Sequence, residues 1–206
     1  MRVLGLTGSI GMGKSTAARM LRRLGVPVHE ADRAVHRLLA LRGTARDAVA
    51  RAFPEAVTDG EIDRQALGRA VFGNADRLRR LEATLHPLVR REERKFLAAA
   101  RRRRRPVAAL DIPLLFETGG ERCCDLVVVV SAPAFVQRAR VLSRAGMTTK
   151  RFGDIVSRQM PDAEKRRRAD VVVPTGLGRR LTWVRLLRLL RRWRRRPTKR
   201  KRHRHA

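Results

Sequence analysis

One stretch of the chain has residue types and spacing suited to phosphate chemistry. Gly8-Ser9-Ile10-Gly11-Met12-Gly13-Lys14-Ser15 satisfies every fixed position of G-x-x-x-x-G-K-[ST]. Glycines at 8, 11 and 13 let the backbone wrap a polyanion closely, with N–H groups turned inward and no Cβ in the way. Lys14 is then placed to reach the β- and γ-phosphates of a nucleotide, and the Ser15 hydroxyl to bind Mg²⁺. A glycine-rich turn with an incidental lysine shares this composition but not its flanks. Val3-Leu4-Gly5-Leu6 reads as a short buried strand. Ala17, Met20, Leu21 and Leu24 fall at helical spacing, and a helix N-terminus adds partial positive charge where the phosphates would lie. Strand, glycine loop and helix together form the context of a P-loop.

Three further groups of residues can carry chemistry. Asp32 follows the short strand Val26-Pro27-Val28 by way of His29-Glu30-Ala31, and the carboxyl ends of strands are where open α/β sheets bind ligands. It can cap a helix over Arg33–Leu41 or orient an attacking hydroxyl, the role a kinase needs from a carboxylate. The P-loop upstream favours the second reading. Asp111, in the buried run Val107–Ile112, is either a Walker-B-like acid near Mg²⁺ or simply the end of a strand. Gln137, Arg140 and Arg144 lie at i, i+3 and i+7 on a helix predicted over Ala134–Ser143 and opened by Pro133. They form a solvated face or belong to a lid that neutralises phosphate charge in the transition state. Arg158, Gln159, Lys165 and Arg167 continue the basic stretch.

The elements that must position these groups follow from the apolar pattern. Asp125-Leu126-Val127-Val128-Val129-Val130 is β-branched and unalternating, as a parallel strand covered on both faces requires. Ala169–Val173 is a last strand, followed by Pro174-Thr175-Gly176. Residues 44–104 read as helical: Ala45–Phe53, a turn at Thr58-Asp59-Gly60, Ile62–Phe72, Ala75–Leu85, and a new helix begun by Pro87 after His86 breaks the pattern. Placed between two strands, this block reads as an insertion that holds a second substrate; His86 is otherwise a cap or a buried histidine. Arg101–Arg105 reads as a solvated helix end. A final helix carries Leu181, Val184, Leu187, Leu190 and Trp193 as an apolar stripe, and Arg194–Ala206, with no apolar period, is expected to be a disordered basic tail.

Composition bounds the rest. A chain of 206 residues with 43% hydrophobic residues makes one domain with a real core. The net charge of +30 is unevenly placed: Arg179 to Ala206 holds 12 Arg, 2 Lys and no acid. That balance suits phosphate-rich ligands and weak attraction of the tail to nucleic acid. Aromatic residues, at 4%, are not interleaved with basic ones as stacking platforms require, so specific nucleic-acid recognition is not expected. Adjacent Cys123 and Cys124 have neither metal-ligand spacing nor a disulfide partner, which predicts a reducing compartment. The N-terminus enters a strand at once and no apolar run approaches the ~20 residues of a membrane span. The expected address is the cytoplasm.

Along about residues 3–193 the sequence resembles the dephospho-CoA kinase family. The resemblance rests on the P-loop, Glu30-Ala31-Asp32 for the family's D-A-D, His86-Pro87-Leu88 and Pro113-Leu114-Leu115-Phe116-Glu117. It extends through Gln137-x-x-Arg140-x-x-x-Arg144, Arg158-Gln159-Met160 and Lys165-x-x-x-Ala169-Asp170. It implies transfer of the ATP γ-phosphate to the 3′-hydroxyl of dephospho-CoA; Mg²⁺ is expected from the P-loop, and the chain is expected to be a monomer. The implied fold is an α/β three-layer P-loop sandwich with a parallel five-stranded sheet, a CoA-binding helical insertion at about 44–104 and a lid at about 140–165. By the same resemblance Gly8, Gly11, Met12, Gly13, Lys14, Ser15 and Thr16 form the ATP site, Asp32 is the catalytic acid, Arg140 and Arg144 belong to the lid, and His86, Leu114, Phe116 and Glu117 line the acceptor side. The sequence departs from the family at Glu30, at His36 where the family has arginine, and at Pro174-Thr175-Gly176, in the segment that helps hold adenine in the family. The rival readings are another small-molecule kinase of this fold and a nucleic-acid-binding P-loop protein.

Overall fold

A computed structural model of the chain describes residues 1–71 and 73–195. The elements run β1 (Arg2–Thr7), α1 (Lys14–Arg23), β2 (Val28–Glu30), α2 (Ala31–Leu39), α3 (Arg46–Ala52), β3 (Val57–Thr58), β4 (Glu61–Ile62), α4 (Arg64–Val71) and α5 (Ala75–Arg102). They continue with β5 (Val107–Asp111), β6 (Leu126–Ser131), α6 (Ala134–Leu142), α7 (Thr149–Ser157), α8 (Asp162–Arg168), β7 (Val171–Pro174) and α9 (Arg179–Arg195).

The main sheet is five-stranded, in the order β2-β5-β1-β6-β7. β1 pairs in parallel with β5 on one side and β6 on the other, and β6 with β7. Both faces are covered, which is why the strand sequences do not alternate. Leu4, Leu6, Ala109, Val128, Val130 and Val173 pack on Ala17, Leu21, Leu186 and Leu190 of α1 and α9. On the opposite face Val3, Ala108, Leu110, Val127 and Val129 are equally buried. There, a Cβ at Gly5 would meet Cys124 Sγ at 2.7 Å and Leu115 Cδ2 at 2.9 Å, so the covering segment lies directly on the strand.

The chain divides into two compact units, Met1–His29 with Ala100–Ala206, and Glu30–Ala99. The second has its own core of Leu38, Leu39, Val49, Phe53, Leu67, Leu81 and Leu85. Its β3–β4 hairpin pairs Val57 with Ile62 and turns through Asp59 and Gly60, both at positive φ, the geometry of a type I′ turn.

The structure corrects several sequence-based expectations. The helix break expected at His86-Pro87 is absent: α5 runs unbroken from Ala75 to Arg102 with Pro87 inside. Leu81 and Leu85 are buried while His86 and Pro87 are exposed. The carbonyl that Pro87 cannot bond therefore faces water, and packing on either side outweighs the loss. His86 is thus neither a cap nor a buried histidine. On α9 the buried positions are Thr182, Leu186 and Leu190, not the stripe through Leu181, Val184 and Leu187, which are only half-buried. Apolar residues surround most of that helix, so periodicity alone leaves its inner face open. α9 also takes in Arg194 and Arg195; the remainder of the expected basic tail, 196–206, lies outside the described residues. Among the described residues no helix is long and apolar enough to cross a membrane.

Candidate active site

The loop between β1 and α1 is shaped by its glycines and held from behind by side chains. Gly13, at φ 86°, caps α1 in a left-handed conformation. Gly11, at φ 75°, has no room for a Cβ, which would meet Val141 Cγ2 at 2.6 Å. Three consecutive carbonyls are bonded away from the loop mouth. Gln137 Nε2 donates to Ile10 O (2.9 Å), Arg140 Nη1 to Gly11 O (3.4 Å) and Thr175 Oγ1 to Met12 O (2.7 Å). The Ile10 N–H donates to Gln159 Oε1 at 3.0 Å. Met12 packs its side chain inward, its Sδ accepting the Ala132 N–H at 3.1 Å. Among the described residues the backbone N–H groups of Gly11, Gly13, Lys14 and Ser15 meet no protein acceptor. Unfilled donors at a glycine loop and helix N-terminus are the chemistry of a phosphate site. Thr16 uses its N–H on Gly13 O.

Lys14 reaches the end of the neighbouring strand. Its Nζ lies 2.6 Å from Asp111 Oδ1, and the carboxylate side chain is 4% exposed. The parallel register sets Leu6 of β1 beside Asp111 of β5, so the acid stands next to the point where the loop leaves the sheet. Ser15 is exposed at the start of α1. A hydroxyl and a carboxylate, with no trio of His, Cys, Asp or Glu clustered as a metal site among the described residues, suit an ion that keeps several waters and takes its other ligands from a phosphate.

The residues of the α6–α8 region divide by position. α6 ends at Leu142, so Arg144 stands beyond it rather than on one face with Gln137 and Arg140. Arg144 is exposed. Gln137 is buried, and Arg140 is spent on the loop and on Thr175, bonding Thr175 O at 2.7 Å and its Oγ1 at 3.2 Å. The solvated-face reading therefore fails for both. Leu114, Phe116 and Glu117 share the turn after β5. Leu114 is exposed, Phe116 is buried beneath the Arg168 guanidinium 4.7 Å from its ring centre, and Glu117 is engaged. Fully buried Lys165 donates to Glu117 Oε1 (2.9 Å) and Pro113 O (3.2 Å), and the Met160 N–H donates to the same Glu117 oxygen (2.9 Å). Burial pushes the Glu117 carboxyl up, but bonds from Lys165, Met160 N–H and its own N–H, with the Lys165 charge, outweigh that and hold it below the usual carboxylate range.

Asp32 and His86 belong to the helical unit. Glu30 occupies the N-cap position of α2 without a side-chain cap bond, and Asp32 sits in the first turn, so the alternative reading of Asp32 as a helix cap does not hold. Its side chain is exposed, and among the described residues nothing pairs with it. Beside it, His36 Nε2 lies 2.5 Å from Arg64 Nη1, so an arginine stands next to the position where the family's own arginine is replaced. Gln159 and Thr175 were visible in the sequence only as a motif member and a departure; their bonds to the loop cross 149 and 163 residues of chain, a distance that no local pattern spans.

A family model for dephospho-CoA kinase matches residues 2–176. A dephospho-CoA kinase of Paramagnetospirillum magneticum is 62% identical over 166 residues, 81% of this chain and 78% of that one. Another from Rhodospirillum rubrum is 61% identical over 180 residues, covering 86% and 85%. A Thermus thermophilus crystal structure superposes with a TM-score of 0.84 at 38% identity over 93% of this chain and 97% of that one. A dephospho-CoA kinase structure from Campylobacter jejuni shares the fold, with a TM-score of 0.61 at 21% identity over 93% and 96%. With its glycine loop, its Lys14–Asp111 pair and a match running through both units, the chain belongs to the dephospho-CoA kinase family.

Proposed function

We propose that the chain transfers the γ-phosphoryl group of ATP to the 3′-hydroxyl of dephospho-CoA, giving CoA and ADP. The observation that carries this reading is the family match over residues 2–176, which takes in the loop, Asp32, His86 and the α6–α8 region. The free N–H groups of Gly11, Gly13, Lys14 and Ser15 hold the β- and γ-phosphates, with Gly8 and Met12 shaping the loop and Thr16 completing the helix turn. Lys14 leaves Asp111 for the phosphates and offsets the charge that develops on them in a loose transition state. Ser15 and Asp111 would hold Mg²⁺, which would neutralise phosphate charge when bound. Asp32 accepts or orients the proton of the attacking hydroxyl. Arg144, exposed and unpaired among the described residues, supplies lid charge, and Arg140 acts as a positioning residue beneath the loop. Residues 44–104 bind the CoA moiety, with His86 on that side, and about 140–165 form the lid. Leu114 offers the acceptor an apolar contact, while Phe116 and Glu117 fix the turn that presents it. The enzyme works as a monomer in the cytoplasm.

The test is a panel of acceptors with γ-labelled ATP: dephospho-CoA, adenosine, AMP and shikimate. Label on the 3′-position of dephospho-CoA alone is the expected outcome. Preferential labelling of another acceptor overturns the substrate assignment.

A further inference from the structure

Every strand of a parallel sheet begins on the same edge, and here that edge gathers arginines from distant parts of the sequence. The phosphate loop leaves from the opposite, carboxyl end of β1, so this rim is separate from the loop, Lys14 and Asp111. Arg101–Arg105 form the end of α5 and the turn into β5, and Arg2 N–H bonds Pro106 O beside them. Arg122 precedes β6, and Arg166 and Arg167 precede β7. α9 ends on the same rim: the Arg2 side chain lies against the Trp193 ring and carbonyl, with Arg191 and Arg192 alongside in sequence.

These side chains are exposed, and among the described residues Arg101–Arg105, Arg122, Arg166, Arg167, Arg191 and Arg192 have no acidic partner. The acids nearest in sequence are already used. Asp125 accepts the Val3 N–H and Asp170 the Val127 N–H, each at 2.7 Å, and Glu121 pairs with Arg168. Crowded like charges repel one another, and a polyanion that neutralises them also releases its own counterions. Arginine's planar fork suits phosphate oxygens. Anionic lipid headgroups are also attracted to such a surface, but firm seating on a bilayer gains from apolar side chains that insert beside the charges. Among the exposed large hydrophobic residues of this unit, Met1 adjoins the rim, whereas Leu114, Phe135 and Leu177 follow the carboxyl ends of their strands and Val156 lies on α7.

We propose that this rim of the folded domain is a docking surface for the phosphodiester backbone of nucleic acid, bound without regard to base sequence. The proposal stands apart from the catalytic reading.

The test is fluorescence anisotropy of a labelled oligouridylate with the full chain, with Arg101–Arg105 all changed to Glu, with R166E/R167E, and with a chain ending at 195. Wild type should bind with an affinity that falls steeply between about 50 and 200 mM salt. Reversal of Arg101–Arg105 should weaken binding at least about tenfold and flatten the log–log salt slope by about two, at ~0.7 for each phosphate no longer neutralised. R166E/R167E, on a different segment, should act in the same direction, which guards against misfolding of the first variant. Turnover of dephospho-CoA should be unchanged in R166E/R167E, whose residues lie outside the proposed CoA-binding stretch. Wild-type RNA binding by the two rim variants, with all affinity lost on truncation at 195, overturns the proposal. So does binding to phosphatidylglycerol vesicles with none to RNA or duplex DNA.

Discussion

Asp32 has two physical roles open to a carboxylate in the first turn of a helix, and they predict different things. It favours the positive end of the α2 dipole, and, without a partner among the described residues, it is free to accept a hydrogen bond from a hydroxyl. Asp32→Asn keeps the size and removes the charge. If Asp32 orients the acceptor hydroxyl, kcat should fall by roughly 10²–10⁴, the usual weight of a general base. KM for ATP should hold, since the loop amides and Lys14 bind the nucleotide. If it only answers the dipole, the cost is about 0.3–1 kcal/mol of stability and activity is retained. Steady-state kinetics with thermal melting on one preparation separates the two: a wild-type kcat would sink the catalytic role. The structure has already removed the third possibility, an N-cap, because Glu30 takes that position.

Between elements, the geometry that matters is how the α6–α8 region and the turn after β5 fix the loop. Gln159 holds the Ile10 N–H and Gln137 the Ile10 carbonyl, so the backbone of one residue is gripped on both sides. Gln159→Ala leaves that N–H without its acceptor, a loss of about 1–2 kcal/mol. It should appear as a rise in KM for ATP, with kcat/KM down roughly tenfold and KM for dephospho-CoA held. Unaltered kinetics for ATP would show that the bond does not position the loop. Lower in the same region, Glu117 ties Lys165 and Met160 to the β5 turn, and its carboxyl is held below the usual range. A depressed folded pKa gives stability that is whole above the ordinary value of about 4.3 and lost as pH falls through the folded one. Melting temperatures of wild type and Glu117→Gln should therefore differ by a constant amount near neutrality and converge in acid. A gap that widens in acid would reverse the sign and the assignment. Both ties were illegible in the sequence: Gln159 and Lys165 read as members of a basic stretch, because their partners lie 149 and 48 residues away and only the fold brings them close. The loop itself was legible since its chemistry is local, with three glycines, a lysine and a hydroxyl inside eight residues. Pro87 misled for the opposite reason, as a strong local signal overridden by buried leucines in the same helix.

For the whole molecule, the question is how labour divides between the two units. The unit of Met1–His29 and Ala100–Ala206 contains the loop, Asp111, Arg140 and Arg144, while Glu30–Ala99 contains Asp32 and His86 around a separate apolar core. A ligand that binds the native state slows the exchange of amides it orders, in proportion to the opening it suppresses. Hydrogen exchange with each ligand alone reads the division directly. A non-hydrolysable ATP analogue should protect amides from Gly8 to Ala17 and the start of α6. Dephospho-CoA without nucleotide should protect α2, α4 and the middle of α5 around His86, and leave the loop near its unliganded rate. Exposed His86 and the half-buried Val35 and Ile62 give that unit surface for an extended acceptor to cover. If dephospho-CoA instead slowed only the turn at Leu114–Glu117 and left α2, α4 and α5 unchanged, the acceptor would belong to the sheet unit. His86 would then be a surface residue of a structural insertion, and Asp32 would have no acceptor to orient. Protection of the helical unit by dephospho-CoA and of the sheet unit by the ATP analogue is the pattern that fits a helical insertion built to hold the acceptor.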